Sequence, residues 1–252
     1  MKAANPIEAE KAAAVNQIVP RPTRRWRAGI FQAALIVTTA AFGILVVLAS
    51  MFNYFPVDLT ITHAVQSINL PWFDSLMVWV SVPGYPPWVY ILIGAIVIFL
   101  FIIGLRWEAA VSLLAAVLSG GLGQLIKMAI HRPRPGITLV KVLSQLNSYS
   151  FPSGHVLTYT TFFGFLFFLG FTLLKPSLPR TFLLVILGLL VGLIGISRID
   201  VGDHWASDVI GAYLLGSLCL VACVYIYRWG KTRFFVRQPL APEKPEKAAS
   251  QP

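Results

Sequence analysis

Six stretches of this chain contain no Asp, Glu, Lys or Arg, and each is long enough to cross a bilayer. They lie between Arg27 and Asp58, Asp74 and Arg106, Glu108 and Lys127, His155 and Lys175, Arg180 and Arg198, and Asp208 and Arg228. Each holds an apolar run of about 17–25 residues, which as a helix covers a hydrocarbon core of about 30 Å. Backbone groups in lipid must bond to one another, so a span is either a helix or part of a closed barrel. Barrel strands alternate apolar and polar residues over about ten positions, and these runs do not alternate. The sequence therefore predicts an all-α fold, a six-helix transmembrane bundle, with spans near 30–52, 88–105, 108–127, 155–174, 181–197 and 208–228. The first run exceeds the 7–15 residues of a signal-peptide core and lacks a small-residue cleavage pattern, so it reads as a retained span. No period of 20–50 residues repeats.

Charge placement sets the expected topology. The net charge is +10, which could mark a nucleic-acid ligand. Six spans put both termini on one side, and with that side cytoplasmic, fifteen of the twenty basic residues lie inside. That is the bias of cytoplasmic loops, so no nucleic-acid partner is expected. The domain organisation reads as a flexible basic terminus (1–28), a membrane domain (29–230) and a flexible tail (231–252). The outer connection from Asn53 to Pro87 has no Lys or Arg, and its Trp-rich stretch is either a short interfacial helix or an aromatic belt. Cys219 and Cys223 read as a packing pair. Ala115, Ser119 and Gly123, and separately Gly188 and Gly192, have the small-residue spacing of close helix packing within the bundle.

The five outer basic residues are Lys127, Arg132, Arg134, Lys141 and Arg198. Four of them fall in two of three polar clusters, KMAIHRPRP (Lys127–Pro135), FPSGH (Phe151–His155) and SRIDVGDHWASD (Ser197–Asp208). In the six-span layout these clusters meet at one extracytoplasmic face. Ionisable groups at membrane depth are costly and usually face a bundle interior or a wet cavity. His204 and Asp208 are four apart, hence on one helical face. A carboxylate bonded to one imidazole nitrogen leaves the other basic and nucleophilic; taken alone, the pair also reads as a capping Asp beside an interfacial His.

Pro152-Ser153-Gly154-His155 opens the fourth span, where free N–H groups and partial positive charge suit a phosphate oxygen. Ser153 can cap that helix and lend its hydroxyl, and Gly154 admits an anion close to the backbone. A protonated His155 can act as a general acid, which a plain N-cap does not explain. Lys127, Arg134 and Arg198 bring positive charge from three segments, and arginine forks match two phosphate oxygens. Snorkelling from a helix end is the alternative for Lys127 and Arg198. His131 and Arg132 would serve the rim at most, and Lys141 reads as a solvated loop charge.

A zinc site on His155, His204 and Asp208 would lack HExxH and face three cations, so no metal and no cofactor is expected. Ser153 as a nucleophile would need G-x-S-x-G, but Phe151 and His155 stand where the glycines belong.

Together the clusters resemble the signature of the type 2 phosphatidic-acid phosphatase superfamily: K-x6-RP, PSGH and SR-x5-H-x3-D. Lys127 with Arg134-Pro135, then Pro152 to His155, then Ser197-Arg198, His204 and Asp208 fill every motif position in order. The six-span layout is similar to that of the superfamily's bacterial integral-membrane lipid phosphatases. The resemblance implies that His204 attacks phosphorus to form a phosphohistidine and that Asp208 orients it. It implies that His155 protonates the leaving oxygen and then helps activate water. Lys127, Arg134, Arg198 and the Ser153–Gly154 amides would hold the phosphoryl oxygens, without a metal. The implied substrate is a lipid phosphate or diphosphate reached from outside the cytoplasm: undecaprenyl diphosphate first, then phosphatidylglycerol phosphate or phosphatidic acid. Transfer of the phosphoryl group to a lipid or sugar acceptor, and an inactive lipid-binding or transport protein, are the alternatives. The sequence sets no oligomeric state.

Overall fold

The computed structural model describes residues 21–144 and 146–235; the segments 1–20 and 236–252, with their basic residues, lie outside the described residues. The described residues form helices and turns and contain no strand. We number the helices α1 (Arg21–Met51), α2 (Pro56–Gln66), α3 (Pro71–Ser81), α4 (Trp88–Ile102), α5 (Arg106–Ile130), α6 (Gly154–Leu173), α7 (Leu178–Asp200) and α8 (Ala206–Gly230). α1 includes residues 21–28, placed by the sequence expectation in a flexible terminus, and a π-helical turn, Lys231–Phe235, prolongs α8.

Five of the expected spans are single helices: Trp26–Met51, Arg106–Ile130, Gly154–Leu173, Leu178–Asp200 and Ala206–Phe235. The second is not. α4 has 15 residues, roughly 22 Å at helical rise, too short to span alone. Pro86 and Pro87 precede it, and Gly104 at φ 86° turns the chain after it. Among the described residues, the broken pair Pro71–Gly84 and Trp88–Ile102, bent by 61°, supplies a sixth apolar path. The Trp-rich outer segment is thus helical: α3 exposes Trp72 and Trp79 and buries Met77, Val80 and Ser81.

α6 is the central helix, with 56% of its most apolar window buried, against 6% for α1. Its Val156, Leu157, Tyr159 and Phe162 pack with Ile194 of α7 and with Ala212 and Leu215 of α8. Further along, Phe165 and Leu169 meet Val111 and Ala115 of α5 and Cys223 and Tyr227 of α8. Both cysteines are free and buried in this packing. Ala115, Ser119 and Gly123 face inward, and a Cβ on Gly123 would stand 3.0 Å from Leu157. In the fifth span a Cβ on Gly188 would stand 3.9 Å from Phe167 of α6, whereas Gly192 corrects the expectation: it is exposed, and a Cβ there would meet nothing within 4 Å.

α2 fastens the loop between α5 and α6 to the end of α7. The Gln66 amide donates to the carbonyls of Lys141 (2.8 Å) and Asp200 (2.9 Å), and its oxygen accepts from the Lys141 amide (3.1 Å). Gly202 follows α7 at φ 75°, and a Cβ there would lie 2.0 Å from the Lys141 carbonyl oxygen. Only glycine permits both that φ and that approach, so the backbone leading into Asp203 and His204 is clamped from two sides.

Candidate active site

The ends of four helices converge at one end of the bundle. Lys127 lies in the last turn of α5, Ser153 caps α6, Arg198 lies in the last turn of α7, and Asp208 lies in the first turn of α8. All eight residues singled out in the sequence belong to this end, with Arg134 and His204 on the connecting loops.

His204 is buried, and its Nε2 lies 3.3 Å from the Arg134 guanidinium. Its Nδ1 lies 3.6 Å from Asp208 Oδ2. That exceeds a hydrogen bond, so the direct His–Asp bond expected from the spacing is absent here. Ser150 stands between the two: its hydroxyl donates to Asp208 and lies 3.4 Å from His204 Nδ1. Burial, and then the positive charges of Arg134, Lys127 and Arg198, push the His204 pKa well below its ordinary value. This favours the neutral ring, which keeps a lone pair on one nitrogen.

Asp208 is held elsewhere. Its Oδ1 accepts from Arg132 at 2.5 Å, and its Oδ2 accepts from the Trp205 amide at 2.9 Å. Arg132 corrects the reading of a rim residue, because it is buried. It reaches Asp58 of α2 at 3.1 Å, Ser207 at 2.7 Å, and the carbonyls of Phe52 and Asn53. Arg132 had no visible partner in the sequence, since Asp58 lies in a segment with no motif.

The cations form a cradle. Lys127 Nζ donates to the Tyr149 carbonyl (2.5 Å) and the Ser150 carbonyl (3.2 Å). Arg134 is anchored by Ser148 and by the Asp203 carbonyl (2.6 Å). Burial and the charge of Arg198 lower the Arg134 pKa to about 10, which leaves it a cation at neutral pH. Arg198 donates to Ser81 (2.7 Å) and to the Tyr85 hydroxyl (2.9 Å), and pairs with Asp203. Tyr85 and Asp203 are further residues that no motif revealed. Ser197, the motif neighbour of Arg198, bonds α7 to α3 through the Met77 carbonyl.

Three buried polar atoms of this cluster lack any partner: Ser153 Oγ, His155 Nε2 and Arg198 Nε. Unsatisfied buried groups are rare, and these three, from the start of α6 and the end of α7, are left free for an external group. Ser153 occupies the N-cap but makes no side-chain cap bond, so its hydroxyl is free. Its amide, expected to hold phosphate, instead donates to the Asp208 carbonyl at 3.3 Å. Gly154 at the start of α6 has open space where a Cβ would stand. The His155 ring packs edge-on against Tyr85 at 4.6 Å, and a Cβ on Gly84 would collide with it at 2.2 Å. Beside the cradle a cavity of about 320 Å³ is lined by Arg134, Ser144, Asn147, Gly202 and Asp203, among others. The described residues contain no group of three His, Cys, Asp or Glu placed to hold a metal.

This arrangement pairs a buried imidazole with three cations at one end of the bundle. The PAP2 superfamily model matches residues 107–232, half of the chain. The chain belongs to the PAP2 superfamily. Phosphatidylglycerophosphatase B of Bacillus subtilis is 30% identical over 162 residues, 64% of this chain and 78% of that protein. Lipid A 1-phosphatase of Rhizobium johnstonii is 33% identical over 132 residues, but the match spans only 50% of that protein. Among solved structures, the transmembrane PAP2-type phosphatidylglycerolphosphate phosphatase from Bacillus subtilis superposes with a TM-score of 0.67 at 26% identity, covering 79% of this chain and 98% of that one. Aquifex aeolicus LpxE gives 0.56 at 28% identity, covering 68% and 96%. The chain is a multi-span membrane phosphatase of this superfamily.

Proposed function

We propose that this PAP2-superfamily phosphatase removes a terminal phosphoryl group from a membrane lipid through a phosphohistidine on His204. The observation that carries the reading is the set of unpartnered buried atoms, Ser153 Oγ, His155 Nε2 and Arg198 Nε, beside a neutral His204. His204 Nε2 attacks phosphorus with its lone pair, and the bond from phosphorus to the lipid oxygen breaks. His155, protonated as the dianionic phosphoryl group enters, gives its Nε2 proton to that leaving oxygen. Ser153, Lys127, Arg134 and Arg198 neutralise charge on the phosphoryl oxygens. Water then attacks phosphorus, His155 takes its proton, and inorganic phosphate leaves with His204 regenerated. The cations of the cradle oppose a divalent ion, so chelators should leave the rate unchanged.

Phosphatidylglycerol phosphate is the first substrate to test, since the relative matched over most of its length is named for it. Lipid A 1-phosphate, undecaprenyl diphosphate and phosphatidic acid follow, all ending in the same group. The site faces outward from a plasma membrane, with both termini cytoplasmic, as the basic-residue bias supports. A cysteine at Asn147, exposed on the loop before α6, should react with membrane-impermeant thiol reagents added outside intact cells; labelling only after lysis refutes the orientation. The deciding experiment is quenching in alkaline detergent during turnover of 32P-labelled phosphatidylglycerol phosphate. It should trap acid-labile label on the enzyme, absent in His204→Ala, with inorganic phosphate as the product. Label passed to a lipid or sugar instead of water would make the protein a transferase.

A further inference from the structure

Asp203 stands immediately before the nucleophile, and its side chain is fully buried in a site built for anions. One oxygen pairs with Arg198 and accepts from the Tyr85 hydroxyl at 3.0 Å; the other accepts from Ser144 at 3.2 Å. Tyr85 in turn accepts from both terminal nitrogens of Arg198 at 2.9 Å. The terminal nitrogens of Arg198 are thus occupied by the protein itself, and only its Nε is unpartnered. A phosphoryl group that takes a two-pronged grip on Arg198 must displace this carboxylate. There is room for it to move, because Asp203 and Ser144 both line the cavity of about 320 Å³ beside the cradle.

We propose that Asp203 is a specificity-determining residue: an internal anion that a terminal phosphoryl group displaces from Arg198 and a phosphodiester does not. The proposal rests on the reading of Arg198 as a phosphoryl-binding residue. Charge decides the exchange. A terminal phosphate carries about −1.5 to −2 at pH 7 and has three strong acceptor oxygens. A phosphodiester carries a single charge and has two unesterified oxygens. Exchanging carboxylate for diester swaps one unit charge for another and gains no Coulomb energy at the guanidinium, whereas exchange for a terminal phosphate gains up to a full charge. A membrane phosphatase needs this discrimination, because bilayer phospholipids present phosphodiesters in vast excess over its substrate.

The test uses the full-length protein in detergent micelles, with dioctanoyl phosphatidic acid as substrate. Phosphatidylglycerol serves as the diester competitor and inorganic phosphate as the product inhibitor. Asp203→Asn keeps the side-chain shape and removes the charge. Its inhibition constant for phosphatidylglycerol, relative to that for phosphate, should fall by about tenfold, the scale of losing one close charge in a screened site. Ser144→Ala removes only the outer anchor of the carboxylate and should move the same ratio in the same direction by a smaller factor; it decides the matter if Asp203→Asn does not fold. A merely structural Asp203 would change kcat or KM and leave the ratio fixed. An unchanged ratio in the folded variants overturns the proposal. Arg198→Gln separates the two levels: it should weaken inhibition by phosphate. If it does not, the phosphoryl-binding reading fails and the proposal with it. If it does while the ratio stays fixed, the proposal alone falls.

Discussion

Replacing Arg132 by methionine tests the least foreseen part of the site. Its guanidinium is enclosed between two carboxylates, Asp208 at 2.5 Å and Asp58 at 3.1 Å, with side-chain exposures of 0% and 1%. Methionine fills much of the volume and removes the cation that pairs with both. Asp58 keeps the Ser207 amide and hydroxyl, both at 2.8 Å, and Asp208 keeps Ser150 and the Trp205 amide. Neutral donors offset part of the loss, but two buried negative charges then face each other. Breaking a buried pair in this way costs about 3–5 kcal/mol. Asp58→Asn costs less, about 1.5–3 kcal/mol, the worth of a hydrogen bond to a charged group, because it leaves a neutral Arg132–Asp208 pair. The double variant should lose less than the sum of the two, since it retains one uncompensated carboxylate rather than two. The assay is denaturation in mixed micelles followed by tryptophan fluorescence, with kcat measured in parallel. kcat should fall in Arg132→Met, because Asp208 no longer has its fixed place beside Ser150 and His204. A stability loss below about 1 kcal/mol, or additivity within about 0.5 kcal/mol, would refute the account of a shared ion network.

The pH profile carries a second expectation. The His204 pKa is lowered chiefly by burial and then by Arg134, Lys127 and Arg198, so the acid limb of kcat/KM assigned to the nucleophile should lie below the ordinary histidine value of about 6.5. Arg134→Gln should move that limb to higher pH, and an unmoved limb would argue against His204 as its source. The same shift affects stability. Between the lowered folded value and the ordinary one the unfolded chain binds more protons, so stability should fall as pH drops through that window and level off below it. Gly202→Ala forces a Cβ at φ 75° to within 2.0 Å of the Lys141 carbonyl. It should abolish most turnover by shifting Asp203 and His204, while Gly192→Ala, in open space on α7, should leave activity at the wild-type level. Ser150→Ala removes the hydroxyl between His204 and Asp208 and should lower kcat by about one to two orders of magnitude with little change in KM. A KM effect alone would place Ser150 in binding instead.

Much of the site was legible because its logic is local. His204 and Asp208 share a helical face by spacing, Ser153 sits at a helix start because Pro152 precedes it, and charge-free runs of span length leave few folds open. What stayed hidden depends on contacts between distant segments. Arg132 read as a rim residue because its partner Asp58 lies 74 residues away, on a helix with no motif. Ser150, Tyr85 and Asp203 sit beside motif residues or in an unmarked loop, and nothing in a linear pattern says which way they point. The second span is the least regular for a related reason: hydropathy adds up apolar length without registering that the helix ends after 15 residues, just before Gly104, and that the apolar path continues across a 61° bend into α3.

The sequence alone determined helices, membrane residence and the chemical inventory, because hydrogen-bond satisfaction in lipid and helical periodicity act over a few residues. Tertiary structure alone decided which charge neutralises which. In a buried, poorly screened site the pairing energy depends on ångström separations that only the packing of α2, α3, α7 and α8 can set.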